Sequence, residues 1–239
     1  MIGVSAMERL DKRLANTGKW SRKEARELIR AGRVRLDGAV CRDPEQKVDA
    51  AAAVTVDGEP VAASGPVYLM LNKPAGVVSS TDQPGERTVL DLLGEEYQNI
   101  GLFPAGRLDK DTEGLLLLTN DGPLAHRLLS PRSHVDKVYY VETEVGLDEA
   151  DVDAVRAGLT LADGYVCLPG TLELISGNRA YLTLREGKYH QVKRMLAALG
   201  KPVVYLKRVR FGPLVLDEAL PKGGWRALTK EERQALFRQ

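Results

Sequence analysis

Residues 115–118 are four consecutive leucines, with Gly114 ahead of them and the turn-forming pair Asp121-Gly122 shortly after. Strand side chains alternate between two faces, so this run is apolar on both and reads as a buried strand. The segment leading into it, Gly106-Arg107-Leu108-Asp109-Lys110-Asp111-Thr112-Glu113, is polar. A carboxylate at Asp109 would be partly desolvated, and an unpaired one there would be costly. Spacing alone leaves Asp109 equally open to capping a turn or pairing locally.

The surrounding pattern defines the class. Strands are expected at 67–71, 77–79, 137–145, 180–184 and 203–209, with a turn at 72–76 and a polar loop at 80–87. A short helix begins at 88–93, and others are expected at 124–129, closed by Ser130-Pro131, at 149–157, stopped by Gly158, and at 189–199, ended by Gly200. Strands outnumber helices and follow no regular βαβ order. The class is therefore α+β rather than doubly wound, and no repeat or low-complexity segment is present.

Residues 8–16 place Leu10 and Leu14 four apart among charges, the pattern of an amphipathic helix. Ser21 and Glu24 form a capping box for a second helix with an Ala25, Leu28, Ile29 stripe, and Gly32 ends it. Arg22, Lys23, Arg26, Arg30 and Arg33 occupy its other faces and its end. Asp37-Gly38 and Asp57-Gly58 are tight-turn signals between short apolar runs. The expected organisation is an extension at 1–6, a small two-helix domain at 7–61, a linker at 62–66 and a larger domain at 67–239.

Net charge is only +1, but its distribution is uneven. Residues 1–48 hold 12 Lys+Arg against 7 Asp+Glu, and residues 179–210 hold nine against Glu186 alone. Two basic segments in a neutral chain can face one polyanion. No run of 18 apolar residues offers a membrane helix, and the first ten residues lack the apolar core of a signal peptide. Cys41 and Cys167 lie far apart without a CxxC partner, and His126, His134 and His190 show no metal-ligand spacing. The expectation is a cytoplasmic protein with reduced thiols and no metal or organic cofactor, a monomer that does not engage membranes.

The segments RLDKRLA at 9–15, SRKEARELIRAGRVRLDG at 21–38 and VDG at 56–58 resemble the S4 RNA-binding domain. Its helix would lie along a phosphate backbone, which implies Arg9, Lys12, Arg22, Lys23, Arg26, Arg30 and Arg33 as RNA contacts. GRLDKDTEGLLLLTNDG at 106–122 resembles the signature of the RsuA-type pseudouridine synthases. MLNKPAGVVSSTD at 70–82, HRLLSPRSHVDKVYYV at 126–141 and EGKYHQVKRMLAALG at 186–200 agree with it in order. The resemblance implies a catalytic domain with a mixed, mainly antiparallel sheet flanked by helices.

It also implies roles. Asp109 is the essential carboxylate, Tyr139 the aromatic beside the uracil, and Lys193 the cation paired with Asp109, with Arg194 the fallback. Tyr140 alternates to the other sheet face and is expected to pack. Asp111 and Glu113 are expected to face solvent, and the histidines to make structural hydrogen bonds. Lys73, Arg107, Lys188 and Arg194 are expected RNA contacts. Breaking the N1 bond of uridine and re-forming it at C5 needs one ionised carboxylate, as nucleophile at C1′ or base at C2′. No water attacks, so the second carboxylate of a glycosidase is not required.

YHQVKRM at 189–195 looks like the small-subunit type of the family, and no long basic tail follows, which implies uridine 516 of 16S ribosomal RNA as target. The partner would be that RNA or a partly assembled small subunit. The rival expectations are a large-subunit (23S) enzyme, a non-catalytic S4 assembly factor, and a glycoside hydrolase.

Overall fold

A computed structural model describes residues 7–49, 52–61, 65–97, 100–130, 133 and 135–238. The extension at 1–6, linker residues Ala62, Ala63 and Ser64, and Pro131 and His134 lie outside the described residues. The chain forms two units, one made of residues up to 67 with Leu93–Phe103, the other of Tyr68–Leu92 with Pro104–Gln239.

In the first unit, helix α1 spans Leu10–Ala15 and α2 spans Arg22–Arg30. The Ser21 hydroxyl accepts from the Glu24 amide at 3.2 Å while the Glu24 carboxylate accepts from the Ser21 amide at 2.7 Å, the capping box expected from the sequence. Strands β1 (Val34–Leu36), β2 (Ala39–Cys41), β3 (Val54–Val56) and β4 (Glu59–Val61) form a sheet ordered β2-β1-β3-β4. Asp37 and Gly38 at φ 49° and 85°, and Asp57 and Gly58 at 53° and 87°, make the two turns. Positive φ at both central residues is what a right-twisted hairpin needs. Leu10, Leu14, Ile29, Val34, Val54 and Val56 meet in one core.

Asp11 is wholly buried in this unit. Burial alone would raise its carboxyl, but hydrogen bonds from Arg9 and Arg26 outweigh that and hold it below its ordinary value. Arg9 donates to it at 3.0 and 2.9 Å, Arg26 at 2.8 Å, and Arg22 stands 3.6 Å away. These guanidinium groups are thus drawn to one point on the helix pair.

In the second unit, β5 (Tyr68–Lys73) and β6 (Glu113–Thr119) are buried along their whole length. The four leucines of β6 have no exposed surface. Their burial is worth a gross ~6–12 kcal/mol, an upper bound. The remaining elements are α3 (Gly122–Leu129), β7 (Lys137–Thr143), α4 (Glu149–Ala157), β8 (Thr171–Ser176), β9 (Arg179–Leu184), α5 (Gln191–Ala198), β10 (Val203–Phe211), β11 (Leu214–Val215), β12 (Trp225–Ala227) and α6 (Lys230–Phe237). The sheet runs β8-β9-β7-β10-β6-β5-β12, with β11 paired to β10. Among these pairs β10 with β6 is parallel and the others are antiparallel. This is the expected α+β class with a mixed, mainly antiparallel sheet.

Three local readings change. Strand β5 continues through Asn72 and Lys73, where a turn was expected, because both side chains find partners inside the fold. Residues 77–79 make one isolated bridge, Val78 to Thr88, rather than a strand. Residues 88–93 contain a 3₁₀ turn at Leu90–Leu92 rather than an α-helix. Strand β8 and helix α6 were not anticipated; α6 carries its own signal, a Thr229–Glu232 capping box.

Candidate active site

Asp109 sits on the loop before β6, and that loop is pinned from the segment that ends β5. Lys73 is fully buried. Its ammonium lies 2.9, 3.2, 2.8 and 3.1 Å from the carbonyls of Asp109, Lys110, Thr112 and Pro74. Burial pushes this ammonium down to about 8, against the pull of the Asp111, Asp109 and Glu113 carboxylates. The Gly76 amide donates to the Lys110 carbonyl at 2.7 Å. The Ser79 hydroxyl donates to the Leu108 carbonyl at 2.8 Å and accepts from the Leu108 amide at 3.0 Å. The NKPAGVVS segment is therefore the scaffold of the Asp109 loop.

Lys73 is corrected by this geometry: it is no RNA contact, because its charge is enclosed by carbonyls. Lys73→Met should lower stability by about 2–4 kcal/mol. Orphaned buried carbonyls cost roughly 1–3 kcal/mol each, and relief of the buried charge returns part of that. A urea melt checks the stability, and single-turnover kinetics should show a loss of more than about tenfold as the loop shifts.

The Asp109 carboxylate is about a quarter exposed, with Lys193 Nζ 3.3 Å from Oδ2 and His190 Nε2 3.6 Å from Oδ1. The same ammonium stands 2.5 Å from Asp111 Oδ1. Burial works against the Lys193 charge, but the Asp111 hydrogen bond and the charges of Asp109 and Asp111 raise it above its ordinary value. Lys193 therefore stays charged between two carboxylates. Its hydrogen bond holds the Asp111 carboxyl low.

Helix α5 delivers Lys193 from a structured turn. Gln191 accepts the Lys188 amide at 2.8 Å and donates to Glu186 at 2.5 Å, while the Tyr165 hydroxyl donates to Glu186 at 2.6 Å. His190 enters the helix at φ 50°, and its ring stacks on Tyr189 at 3.8 Å. Arg194 points elsewhere, to Asp163 at 2.5 Å, so Lys193 rather than Arg194 accompanies Asp109.

Strand β7 alternates Lys137, Tyr139, Val141 and Thr143 inward, and Tyr140 meets Tyr181 and Tyr205 on the other face. Asp109, Tyr139, Arg107, Lys188 and His190 line one cleft of about 70 Å³. Arg107, Tyr139, Glu186, Gly187 and Lys188 also line an adjoining cavity of about 380 Å³. The structure thus gathers Asp109, Tyr139, Lys193, Arg107 and Lys188, and leaves out Lys73 and Arg194. The Asp109 carboxylate and the Tyr139 ring border a cleft that shares lining residues with a larger cavity, and the Lys193 ammonium meets the carboxylate at 3.3 Å.

One acidic residue and one histidine depart from expectation. Asp111 is exposed, as expected, and also pairs with Lys193. Glu113 is buried, accepting from Tyr205 at 2.7 Å and facing Lys222 at 2.7 Å, because β10 runs beside it. His190 stands beside Asp109, which its sequence context did not signal. For Lys73 no local signal existed: it follows Asn72 and precedes Pro74-Ala75-Gly76, the pattern of a turn. Among the described residues no group of three His, Cys, Asp or Glu is placed to hold a metal, and no helix is long and apolar enough to cross a membrane.

The family model for RNA pseudouridylate synthases matches residues 67–198, the part that contains this whole constellation, and the S4 domain model matches 8–54. The chain belongs to the RNA pseudouridylate synthase family. It is 50% identical over 95% of its length to an uncharacterised RNA pseudouridine synthase, YtzG, of Bacillus subtilis, covering 98% of that protein. It is 47% identical over 94% of its length to the ribosomal small subunit pseudouridine synthase A of Pseudomonas aeruginosa, again covering 98%. The protein of that name from Escherichia coli is 44% identical, with 94% and 97% covered. A crystal structure of a pseudouridylate synthase matches at TM-score 0.70 and 36% identity, covering 96% of this chain and 99% of that one. This synthase is an isomerase that converts uridine in RNA to pseudouridine, and it is of the RsuA type with an S4 domain.

Proposed function

We propose that this synthase modifies uridine 516 of 16S ribosomal RNA, free or in a partly assembled small subunit, with Asp109 as the carboxylate that acts at the ribose. The observation that carries the site assignment is the Asp109–Lys193 pair, 3.3 Å apart on the cleft that Tyr139 lines. Attack at C1′ or proton removal at C2′ needs an ionised Asp109, and the Lys193 ammonium 3.3 Å away faces that charge. The target base leaves its stack at a cost of a few kcal/mol, and the flat face of Tyr139 offers a replacement. The small-subunit target is supported by the names of the Pseudomonas and Escherichia relatives.

The test is to incubate the protein with unmodified 16S and 23S transcripts, and with partly assembled small subunits, and to map pseudouridine. Modification confined to position 516 of 16S RNA is expected. Equal labelling of 23S RNA would remove the small-subunit assignment.

The S4 domain would hold the RNA by charge. Deleting residues 1–61 is a poor test, because Leu93–Phe103 belongs to the same unit and would lose its partners. The exposed side chains Arg22, Lys23 and Arg30 are better targets. Replacing all three with Ala should flatten the log-affinity against log-salt slope by up to about three. A filter-binding salt titration with an unchanged slope would remove these residues from the RNA interface.

A further inference from the structure

Lys137 and Arg208 stand on adjacent strands, β7 and β10, and both line the 380 Å³ cavity beside the Asp109 cleft. Both are buried, Lys137 at 9% and Arg208 at 2% exposure. Neither forms an ion pair among the described residues. The Lys137 ammonium donates to the Val135 carbonyl at 3.2 Å and lies 5.8 Å from the Phe211 ring centroid. The Arg208 guanidinium donates from Nε to the Leu115 carbonyl at 2.8 Å, with Phe211 at 5.0 Å and the Tyr139 phenol alongside. Its Nη2 is buried with no partner.

The nearby carboxylates are otherwise occupied. Asp136 pairs with Arg185 at 2.9 Å. Glu186 accepts from Tyr165, Gln191 and the Leu168 amide. Burial, and for Lys137 also the neighbouring Arg208, lowers both cations from their ordinary values, against the weaker pull of Asp136 and Glu186 on Lys137 and of the Tyr139 phenol on Arg208. Two buried cations without an ion pair of their own are expensive unless something anionic completes them. Arg107, Arg185 and Lys188 add charge around the same cavity.

We propose that Lys137 and Arg208 form an anion subsite that takes a phosphodiester group of the substrate RNA behind the Tyr139 ring. This rests on the reading of Asp109 and Tyr139 as the reaction site. A phosphate there would receive the free Nη2 donor and the Lys137 ammonium in charge-assisted hydrogen bonds. It would hold the extruded strand by a point next to the cleft, so that the target ribose is positioned over Asp109 without further ordering. The subsite positions the substrate; it takes no part in bond making.

The test uses the full chain, Lys137→Met and Lys137→Arg, with inorganic phosphate as probe and unmodified 16S transcript as substrate. Thermal midpoints are compared in phosphate and chloride at matched ionic strength. The parent and Lys137→Arg should gain stability in phosphate, and Lys137→Met should lose most of that gain. In chloride Lys137→Met should melt no lower than the parent, since it removes an uncompensated buried charge. On RNA, Lys137→Met should raise KM about tenfold with a smaller change in kcat, the scale of one ion pair.

A phosphate gain in Lys137→Met equal to the parent's, or none in the parent, would overturn the subsite. If phosphate binds but the RNA KM is unchanged, the ligand is free phosphate and the RNA role is overturned. A parent protein that responds to phosphate yet modifies no ribosomal RNA would instead overturn the proposed function.

Discussion

Asp109→Asn should reduce pseudouridine formation by roughly 10⁴-fold or more, the scale of losing a central catalytic group. The amide keeps the shape of the side chain and cannot supply the negative charge that either role at the ribose requires. Stability should change little. The loop is held through the backbone carbonyls of Asp109, Lys110 and Thr112 on Lys73, and these survive the substitution. Lys193 keeps Asp111 at 2.5 Å, so its charge is not orphaned. RNA affinity should stay within about threefold, because the basic residues are untouched. Rapid-quench single-turnover assays with excess enzyme separate these quantities, and a variant of parental rate would remove Asp109 from the chemistry.

The largest stability effect is expected at Gly114, where β6 comes alongside β10 in the parallel pairing Lys207 with Glu113 and Arg208 with Gly114. Gly114 adopts φ 100°, and a Cβ there would stand 2.2 Å from the Arg208 carbonyl oxygen and 2.9 Å from its amide nitrogen. Those atoms are backbone within a sheet and cannot step aside as a side chain would. Gly114→Ala should cost about 2–5 kcal/mol, from a left-handed backbone worth roughly 1–2 and forced separation of the strands worth about 1–3. The thermal midpoint should fall by about 4–20 °C. Activity should fall as well, because Glu113, Arg208 and the Asp109 loop all meet at this register. A midpoint within about 2 °C of the parent would show that the strands separate freely.

Much of the architecture was legible because its causes are local. The Ser21–Glu24 box, the two Asp-Gly turns and the stop at Gly158 each depend on residues within a few positions of one another. The β7 alternation separated Tyr139 from Tyr140 correctly, because strand geometry alone decides which face a residue takes. The site was legible by a different route. Residue spacing left Asp109 undecided, and only the likeness of its long signature to a known family singled it out.

What stayed hidden depends on contacts between residues far apart in the chain. Lys73 looked like a loop cation because nothing near it reveals four carbonyls from positions 74–112 converging on its ammonium. Glu113 looked solvent-facing because Tyr205 and Lys222 lie some ninety and more residues away. Residue order was enough for a buried leucine strand, the α+β class, the basic two-helix module and the short set of side chains from which a site could be built. Tertiary structure alone decided that Lys193 rather than Arg194 meets Asp109, that Lys73 is enclosed, and that Lys137 and Arg208 share a cavity. Burial and charge compensation are properties of the assembled sheet, and residue spacing along the chain does not encode them.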